Sequence, residues 1–141
     1  MGKVGVVMGS ASDLPVVEKA LAVLQEYGVE FEVRVLSAHR CPEEARDFAA
    51  TARESGFSVL IAAAGMAAHL AGALAANSTL PVIGIPVATV AIDGAKNAAL
   101  LAVQILAVSD AELAKKLDAA REEGRQAVLA KDKEVENKYK N

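Results

Sequence analysis

The stretch Lys3-Val-Gly-Val-Val-Met-Gly-Ser-Ala-Ser-Asp13 decides the fold. Its first part, through residue 8, is apolar without alternation, which is typical of a strand covered on both faces. Gly9 allows a close turn of the backbone, and apolar side chains then recur at helical spacing until Gly28. A buried strand, a short turn and a helix together indicate the first unit of a parallel sheet wrapped by helices.

The same unit recurs along the chain. The further predicted elements are a strand at Phe31 to Leu36, a helix from Pro42 to Ser55, a strand at Ser58 to Ala63, an alanine-rich helix ending near Asn77, two strand-like pieces at Pro81 to Pro86 and Val87 to Ile92, a helix from Ala95 to Val108, and a last helix whose capping box runs from Ser109 to Glu112. We therefore predict an α/β fold: one three-layer α/β/α domain over residues 1–141, with a flavodoxin-like or Rossmann-like parallel sheet and a long C-terminal helix. Ligands of such sheets bind outside the carboxyl ends of the strands.

Bulk composition limits the classes of function. The chain has 141 residues, of which 53% are hydrophobic and 23% charged, as expected for one globular domain. A net charge of -3 gives no global attraction to nucleic acid or to an anionic membrane, so any phosphate site must be local. No apolar stretch is long enough to span a bilayer, and no export signal is visible. The single cysteine, Cys41, excludes an intrachain disulfide and fits a cytoplasmic, reducing location.

The loop after the first strand carries hydroxyl groups and a carboxylate. Ser10 and Ser12 could bind a phosphate beside the free N–H groups of a starting helix, and Asp13 could accept the two hydroxyls of a ribose. The alternative is structural: Ser12 is then a helix N-cap and Asp13 an ordinary first-turn carboxylate.

The loop after the second strand combines a serine, a histidine and an arginine. Arg40 could hold a phosphate bidentately, Ser37 could add a hydroxyl, and His39 brings an imidazole, a group that can give and accept a proton. In the alternative interpretation the loop is solvated and Arg40 pairs with Glu43 or Glu44.

The loop after the third strand, Gly65-Met-Ala-Ala-His-Leu-Ala-Gly72, surrounds His69 with small residues. His69 could line a pocket, or it could be a structural hydrogen-bonding residue of an alanine-rich helix. Two histidines and one cysteine without compact spacing make a zinc site unexpected, and we predict no metal. Cys41, directly before Pro42, is more typical of a helix cap than of a ligand or a nucleophile.

Three motifs in order carry a family resemblance. Gly9-Ser-Ala-Ser-Asp13, Ser37-Ala-His-Arg-Cys-Pro42 and Ala64-Gly-Met-Ala-Ala-His-Leu-Ala-Gly72 resemble the signature loops of the class I N5-carboxyaminoimidazole ribonucleotide mutases. The resemblance implies an isomerase of purine biosynthesis that moves a carboxylate from the exocyclic nitrogen to C4 of its ribonucleotide substrate. It implies no cofactor, no nucleic-acid partner and a homo-octamer. Its implied site residues are Ser10, Ser37 and Arg40 for the 5′-phosphate with Ser12 nearby, Asp13 for the ribose, Gly65, Met66 and Ala67 around the migrating carboxyl group, Leu70 as a further substrate-binding residue, and His39 and His69 as catalytic residues.

The main departure from this family is a gap. Members carry roughly two dozen more residues between two similar strands, whereas here Pro86-Val87 runs directly into Ala88-Thr89. Either one strand is lost, or Gly84 to Ile92 forms one long strand, or residues are missing from the sequence itself, because a parallel partner strand needs a crossover of about a dozen residues. A binding domain without catalysis, or an inactive deletion variant, is therefore the alternative to an active mutase.

Overall fold

A computed structural model describes residues 2–64, 69–86 and 94–140 of the chain. The predicted roles of Gly65, Met66 and Ala67 lie outside the described residues. So do the second predicted strand-like piece and the junction at which we expect the family segment to be absent.

Four strands alternate with four α-helices along the described chain, and a fifth α-helix follows directly. In order they are β1 (Lys3–Met8), a short 3-10 helix (Ala11–Asp13), α1 (Leu14–Glu26), β2 (Phe31–Val35), α2 (Pro42–Thr51), β3 (Phe57–Ala64), α3 (His69–Ala76), β4 (Val82–Pro86), α4 (Gly94–Ala107) and α5 (Ala111–Lys138). The last helix, of 28 residues, is the long C-terminal helix that the sequence predicted.

The strands form one parallel sheet in the order β2-β1-β3-β4. At its centre Val6 of β1 pairs with Val33 of β2 and Ile61 of β3. The chain moves to one side of β1 for β2 and to the other side for β3, so the direction of winding reverses at β1. This order has the flavodoxin-like pattern and confirms the predicted fold class.

Successive side chains of β1 enter different cores. Val6 belongs to the core that α1, α4 and the start of α5 cover, whereas Val7 belongs to the core beneath α2 and α3. Both side chains are completely buried. Because a strand points alternate residues to opposite faces, an unbroken apolar run is what a strand between two helical layers requires.

Two predicted boundaries were wrong. The helix expected to reach Ser55 ends at Thr51, and turns lead from there to Gly56, whose φ of 89° is one that glycine tolerates. The last helix is capped by Asp110, not by Ser109: the Asp110 carboxylate accepts the N–H groups of Glu112 and Leu113, both at 3.1 Å. Ser109 still belongs to the turn that closes α4, since its own N–H donates to a carbonyl of that helix.

Beyond its first turns α5 is exposed to solvent, and Leu113 is its one fully buried residue among those described. Lys116 helps to attach this first part to α1, since its Nζ donates to the Tyr27 carbonyl at 2.9 Å. No helix in the described ranges combines the length and apolarity that a membrane crossing needs.

Candidate active site

Backbone hydrogen bonds bring the ends of β1, β2 and β3 together. The Leu36 N–H donates to the Met8 carbonyl at 2.9 Å, and the Gly9 N–H donates to the Ala63 carbonyl at 3.1 Å. The loops that follow these strands therefore start side by side, at the edge of the sheet where its winding reverses. Parallel sheets of this kind bind their ligands there.

A cavity of about 270 Å³ lies between these loops. Its described lining residues are Gly9, Ser10, Ser12, Asp13, Ser37, Ala38, His39, Ala64 and Leu70. Six of them are residues that the sequence singled out: the three serines, the aspartate, one histidine and the leucine. Hydroxyl, carboxylate and imidazole groups thus face one shared space above an apolar core.

The two histidines approach each other although they come from different loops. The ring centroids of His39 and His69 are 5.4 Å apart, and the ring planes meet at 66° in an edge-on arrangement. His69 begins α3 and is exposed, and it is followed by Leu70, which is buried and lines the cavity. The parallel order of β1 and β3 explains this approach, because it places the third loop beside the first two.

The first loop is held by the hydroxyl of Ser10. Ser10 Oγ accepts the Ser12 N–H at 3.3 Å and lies 2.9 Å from Ser12 Oγ, while the Ser10 carbonyl accepts the Asp13 N–H at 3.1 Å. Ser10 is therefore the N-cap of the 3-10 helix. The structural alternative that made Ser12 the cap was wrong. The N–H groups of Ser12 and Asp13 are already bonded within the loop, so the hydroxyls are among the donors that this loop offers to a ligand.

The second loop is closed by bonds to Ser37. Ser37 Oγ accepts the N–H groups of His39 at 3.3 Å and of Arg40 at 3.1 Å. Cys41 precedes α2, but its side chain makes no capping hydrogen bond to that helix. Cys41 still occupies the N-cap position of α2, as expected, and its Sγ accepts the Ser37 N–H at 3.1 Å instead.

Arg40, like His69, is exposed and is not among the described residues that line the cavity. Within the described part of the chain it forms no ion pair with Glu43 or Glu44, which the alternative interpretation had suggested. In this structure Arg40 therefore contributes to the loop through its backbone N–H.

Three lining residues were not predicted as ligand contacts: Gly9, Ala38 and Ala64. Gly9 was expected to permit a close turn, but it is not among the glycines with positive φ. A Cβ built on Gly9 would meet no atom within 4 Å, so the missing side chain leaves open space at the cavity wall. Small residues at or shortly after the ends of strands are the signal that could have identified this wall.

A metal centre has no candidate ligand group in the ranges that the structure describes, where no three His, Cys, Asp or Glu side chains cluster suitably. No side-chain nitrogen or oxygen that is fully buried there lacks a hydrogen-bond partner.

The chain is similar to known proteins along most of its length. A model of the family described as AIR carboxylase matches residues 3–88 and, in a second match, residues 84–127. The N5-carboxyaminoimidazole ribonucleotide mutase of Pyrococcus abyssi is 48% identical over 146 aligned positions, covering 87% of this chain and 84% of the relative. The mutase of Methanocaldococcus jannaschii is 45% identical, covering 96% of this chain and 98% of the relative.

A solved structure supports the fold alone. The crystal structure of Treponema denticola PurE has a TM-score of 0.80 and covers 98% of both chains, at 24% sequence identity. The sequence matches are closer and extend through both halves of the chain. They show that this protein belongs to the AIR carboxylase family.

Proposed function

We propose that this protein is an isomerase that converts N5-carboxyaminoimidazole ribonucleotide to 4-carboxy-5-aminoimidazole ribonucleotide in purine biosynthesis. Relatives that bear the name of this mutase are 40 to 50% identical over most of the chain. The observation that carries the proposal is that His39 lines a cavity together with three serines and Asp13, while the ring of His69 lies 5.4 Å from that of His39.

His39 is the proposed proton carrier. In the reaction that we propose, the N-carboxyl group leaves as carbon dioxide, C4 attacks this carbon dioxide, and the proton on C4 is then removed. One group must therefore give a proton to the exocyclic nitrogen and later accept one from C4, and imidazole does both near neutral pH. His39 lines the cavity, and the edge-on ring of His69 is the nearest described imidazole that could share this work.

The hydroxyl-rich wall is the proposed phosphate and ribose subsite. Ser10, Ser12 and Ser37 can donate hydroxyl hydrogens to the 5′-phosphate, and Asp13 can accept from the two ribose hydroxyls. Since the N–H groups of Ser12 and Asp13 are already bonded within the loop, the serine hydroxyls supply uncharged donors to this contact. Arg40 supplies the positive charge once its exposed side chain turns toward the bound phosphate.

The third loop is the proposed neighbourhood of the migrating carboxyl group. Gly65, Met66 and Ala67 lie outside the described residues, and this part of the proposal rests on the family motif in which they stand. Leu70 supports it from the described side, because its buried side chain forms an apolar wall of the cavity. An apolar wall favours retention of carbon dioxide, a small neutral molecule that must not escape between the two half-reactions.

The proposal includes the absence of a family segment between Pro86 and Thr89. The two matches of the family model overlap at residues 84–88, as expected if two similar strands of the family correspond to one stretch here. The alignment with the Pyrococcus abyssi relative spans 146 positions, while 87% of 141 residues is about 123, so about 23 positions lack a counterpart in this chain.

The position of α4 also supports this absence. In right-handed crossovers, helices that lead the chain in the same direction across a sheet lie on the same face. α2 and α3 lead outward toward β4 and cover one face, whereas α4 follows β4 and packs on the other face beside α1. An additional crossover leading outward from β4 would supply a helix on the face that α2 and α3 cover, and a further strand beside β4.

The decisive experiment is a turnover assay with N5-carboxyaminoimidazole ribonucleotide. It measures both 4-carboxy-5-aminoimidazole ribonucleotide (4-carboxy-AIR) and free 5-aminoimidazole ribonucleotide (AIR). Formation of 4-carboxy-AIR supports the mutase, and release of AIR alone indicates that carbon dioxide escapes. Binding of substrate and AIR without turnover favours the alternative of a non-catalytic ribonucleotide-binding domain. Absence of binding contradicts both and leaves an inactive deletion variant of the family.

The His39→Asn variant tests the assigned proton carrier. Asparagine keeps polarity and approximate shape but cannot exchange protons, so kcat should fall by a factor of about 10² to 10⁴ while affinity for AIR changes little. His69→Asn, measured beside it, reports how much of the proton transfer the second ring carries. Full activity of the His39→Asn variant would refute the assignment.

We further propose a homo-octamer in the cytoplasm. The alanine-rich helices and exposed apolar side chains such as Val108, Val128 and Val135 support close packing of subunits, and a single half-buried thiol is compatible with a reducing compartment. Native mass measurement should give eight times the chain mass of 14.6 kDa, and a monomer would contradict the assembly. Fractionation of source cells tests the location.

A further inference from the structure

The loop from Ser37 to Cys41 is closed by reciprocal hydrogen bonds. The Ser37 N–H donates to Cys41 Sγ at 3.1 Å, and the Cys41 N–H donates to the Ser37 carbonyl at 2.9 Å. The hydroxyl of Ser37 accepts two more N–H groups of the same loop, those of His39 and Arg40. Four hydrogen bonds thus fix five residues.

These bonds determine which further hydrogen bonds the Ser37 hydroxyl can form. A serine hydroxyl has two acceptor lone pairs and one O–H donor. Two loop N–H groups occupy its acceptor side, so the single O–H is left for a substrate oxygen. The larger part of its hydrogen-bonding capacity therefore holds the backbone that carries His39.

The His39 ring depends on this backbone for its orientation. Within residues 2–64, 69–86 and 94–140 no hydrogen bond reaches a His39 ring nitrogen, and the ring is exposed. Its one described aromatic neighbour is His69, with ring centroids 5.4 Å apart. Since no described hydrogen bond holds the ring, the closed loop fixes the Cα from which the ring reaches toward His69.

We propose that Cys41, acting together with Ser37, is a positioning residue for His39. The inference rests on the proposed function, since it assigns the thiol a part in aligning the proton carrier. Cys41 does not itself line the cavity among the described residues. It acts by accepting the partly buried Ser37 N–H, which keeps the loop closed and the imidazole turned toward His69.

Two substitutions at one position separate this role from simple packing. Cys41→Ala removes the acceptor and leaves the Ser37 N–H without it, whereas Cys41→Ser replaces sulfur with oxygen, a stronger acceptor, on a side chain of nearly the same length. Ser78→Ala is the matched control, because Ser78 Oγ accepts the Leu80 N–H at 3.2 Å in a comparable turn that does not line this cavity.

The kinetic test separates alignment from binding. Misplacement of a reacting group by about 1 Å can cost about 100-fold in rate, so Cys41→Ala should lower kcat by about 10- to 100-fold and leave KM within about threefold. Cys41→Ser should restore kcat to within about threefold of the original, and Ser78→Ala should leave both constants unchanged. Unchanged kcat in Cys41→Ala, or equal losses in both Cys41 variants, would overturn the proposal.

A second measurement stands apart from activity and from the proposed reaction. In the NMR spectrum of the unliganded protein, nuclear Overhauser contacts between the His39 and His69 rings should be present in the parent protein and in Cys41→Ser. They should weaken in Cys41→Ala, together with faster exchange of the Ser37 amide. If the parent protein lacks mutase activity, the proposed function fails while these spectra still decide the positioning role. Identical spectra for all three proteins would overturn it.

Discussion

Adding one methyl group at Gly9 tests where the ligand sits. Gly9 lines the cavity, and a Cβ built there has no neighbouring atom within 4 Å. The Gly9→Ala side chain therefore has room in the unliganded protein, and it occupies space that a bound ribonucleotide would need. Because φ at Gly9 is not positive, the substitution also introduces no backbone strain of the left-handed kind.

The expected result is a loss of affinity without a loss of stability. If the methyl group displaces the phosphate from one charge-assisted hydrogen bond, binding weakens by about 1.5–3 kcal/mol, which is between about 10- and 150-fold in Kd. The free energy of unfolding should stay the same or rise by up to about 1 kcal/mol, since alanine restricts the unfolded chain more than glycine does.

Calorimetric titration with AIR, which avoids turnover, measures the affinity, and thermal unfolding measures the stability. Gly124→Ala is the matched control: it adds the same methyl group in open space on α5, away from the cavity. The control should gain stability by about 1 kcal/mol and bind AIR with the original Kd. If Gly9→Ala also binds with the original Kd, the ligand does not occupy this wall and our assignment of the phosphate subsite is wrong.

Three further predictions concern charge and helix ends. Arg40→Ala should weaken AIR binding by about 1.5–3 kcal/mol. Arg46→Ala, which removes an exposed cation paired with a neighbouring aspartate, should leave AIR binding unchanged. Equal affinities of the two variants in titration would refute a phosphate role for Arg40. Asp110→Ala should destabilise the protein by about 0.5–2 kcal/mol in chemical denaturation because two N–H groups at the start of α5 lose their cap, and Asp110→Asn should recover most of this loss. Lys116→Met should lower the free energy of unfolding by about 0.3–1 kcal/mol, because the lysine ammonium group neutralises the C-terminal end of α1. Lys115→Met should lower it less, since the partner of Lys115 is an exposed glutamate. The reverse order would contradict the role of Lys116 in attaching α5 to α1.

The sheet was predictable because its signals are local and strong. The apolar run through Met8 indicates a strand covered on both faces, and Gly28 ends the first helix with a φ of 69°, as its position predicted. Helix boundaries were less certain because neighbouring residues compete for the same role. Ser109 and Asp110 are both good caps, and the N–H groups of both donate to carbonyls of α4, so residue type alone does not decide between them.

The site was predictable as a place more than as a set of contacts. Strand ends converge in any parallel sheet, so Ser10, Ser37 and His39 could be expected to share one region. The direction of the exposed Arg40 side chain could not, because nothing in the local sequence fixes a long side chain in solvent. The bond from the Ser37 N–H to Cys41 Sγ also escaped prediction, since it depends on the loop path rather than on residue type.

The interior of this protein is chemically uniform: within the described ranges every fully buried side chain is apolar, and none is charged or polar. The polar residues of the candidate site lie in the short connections after the strands and at the start of α3. An evolving lineage could therefore exchange residues in these connections, and so acquire a new substrate, without risking the framework beneath them. Conversely, substitutions in the interior that raise the thermal stability of the protein should leave catalysis unchanged.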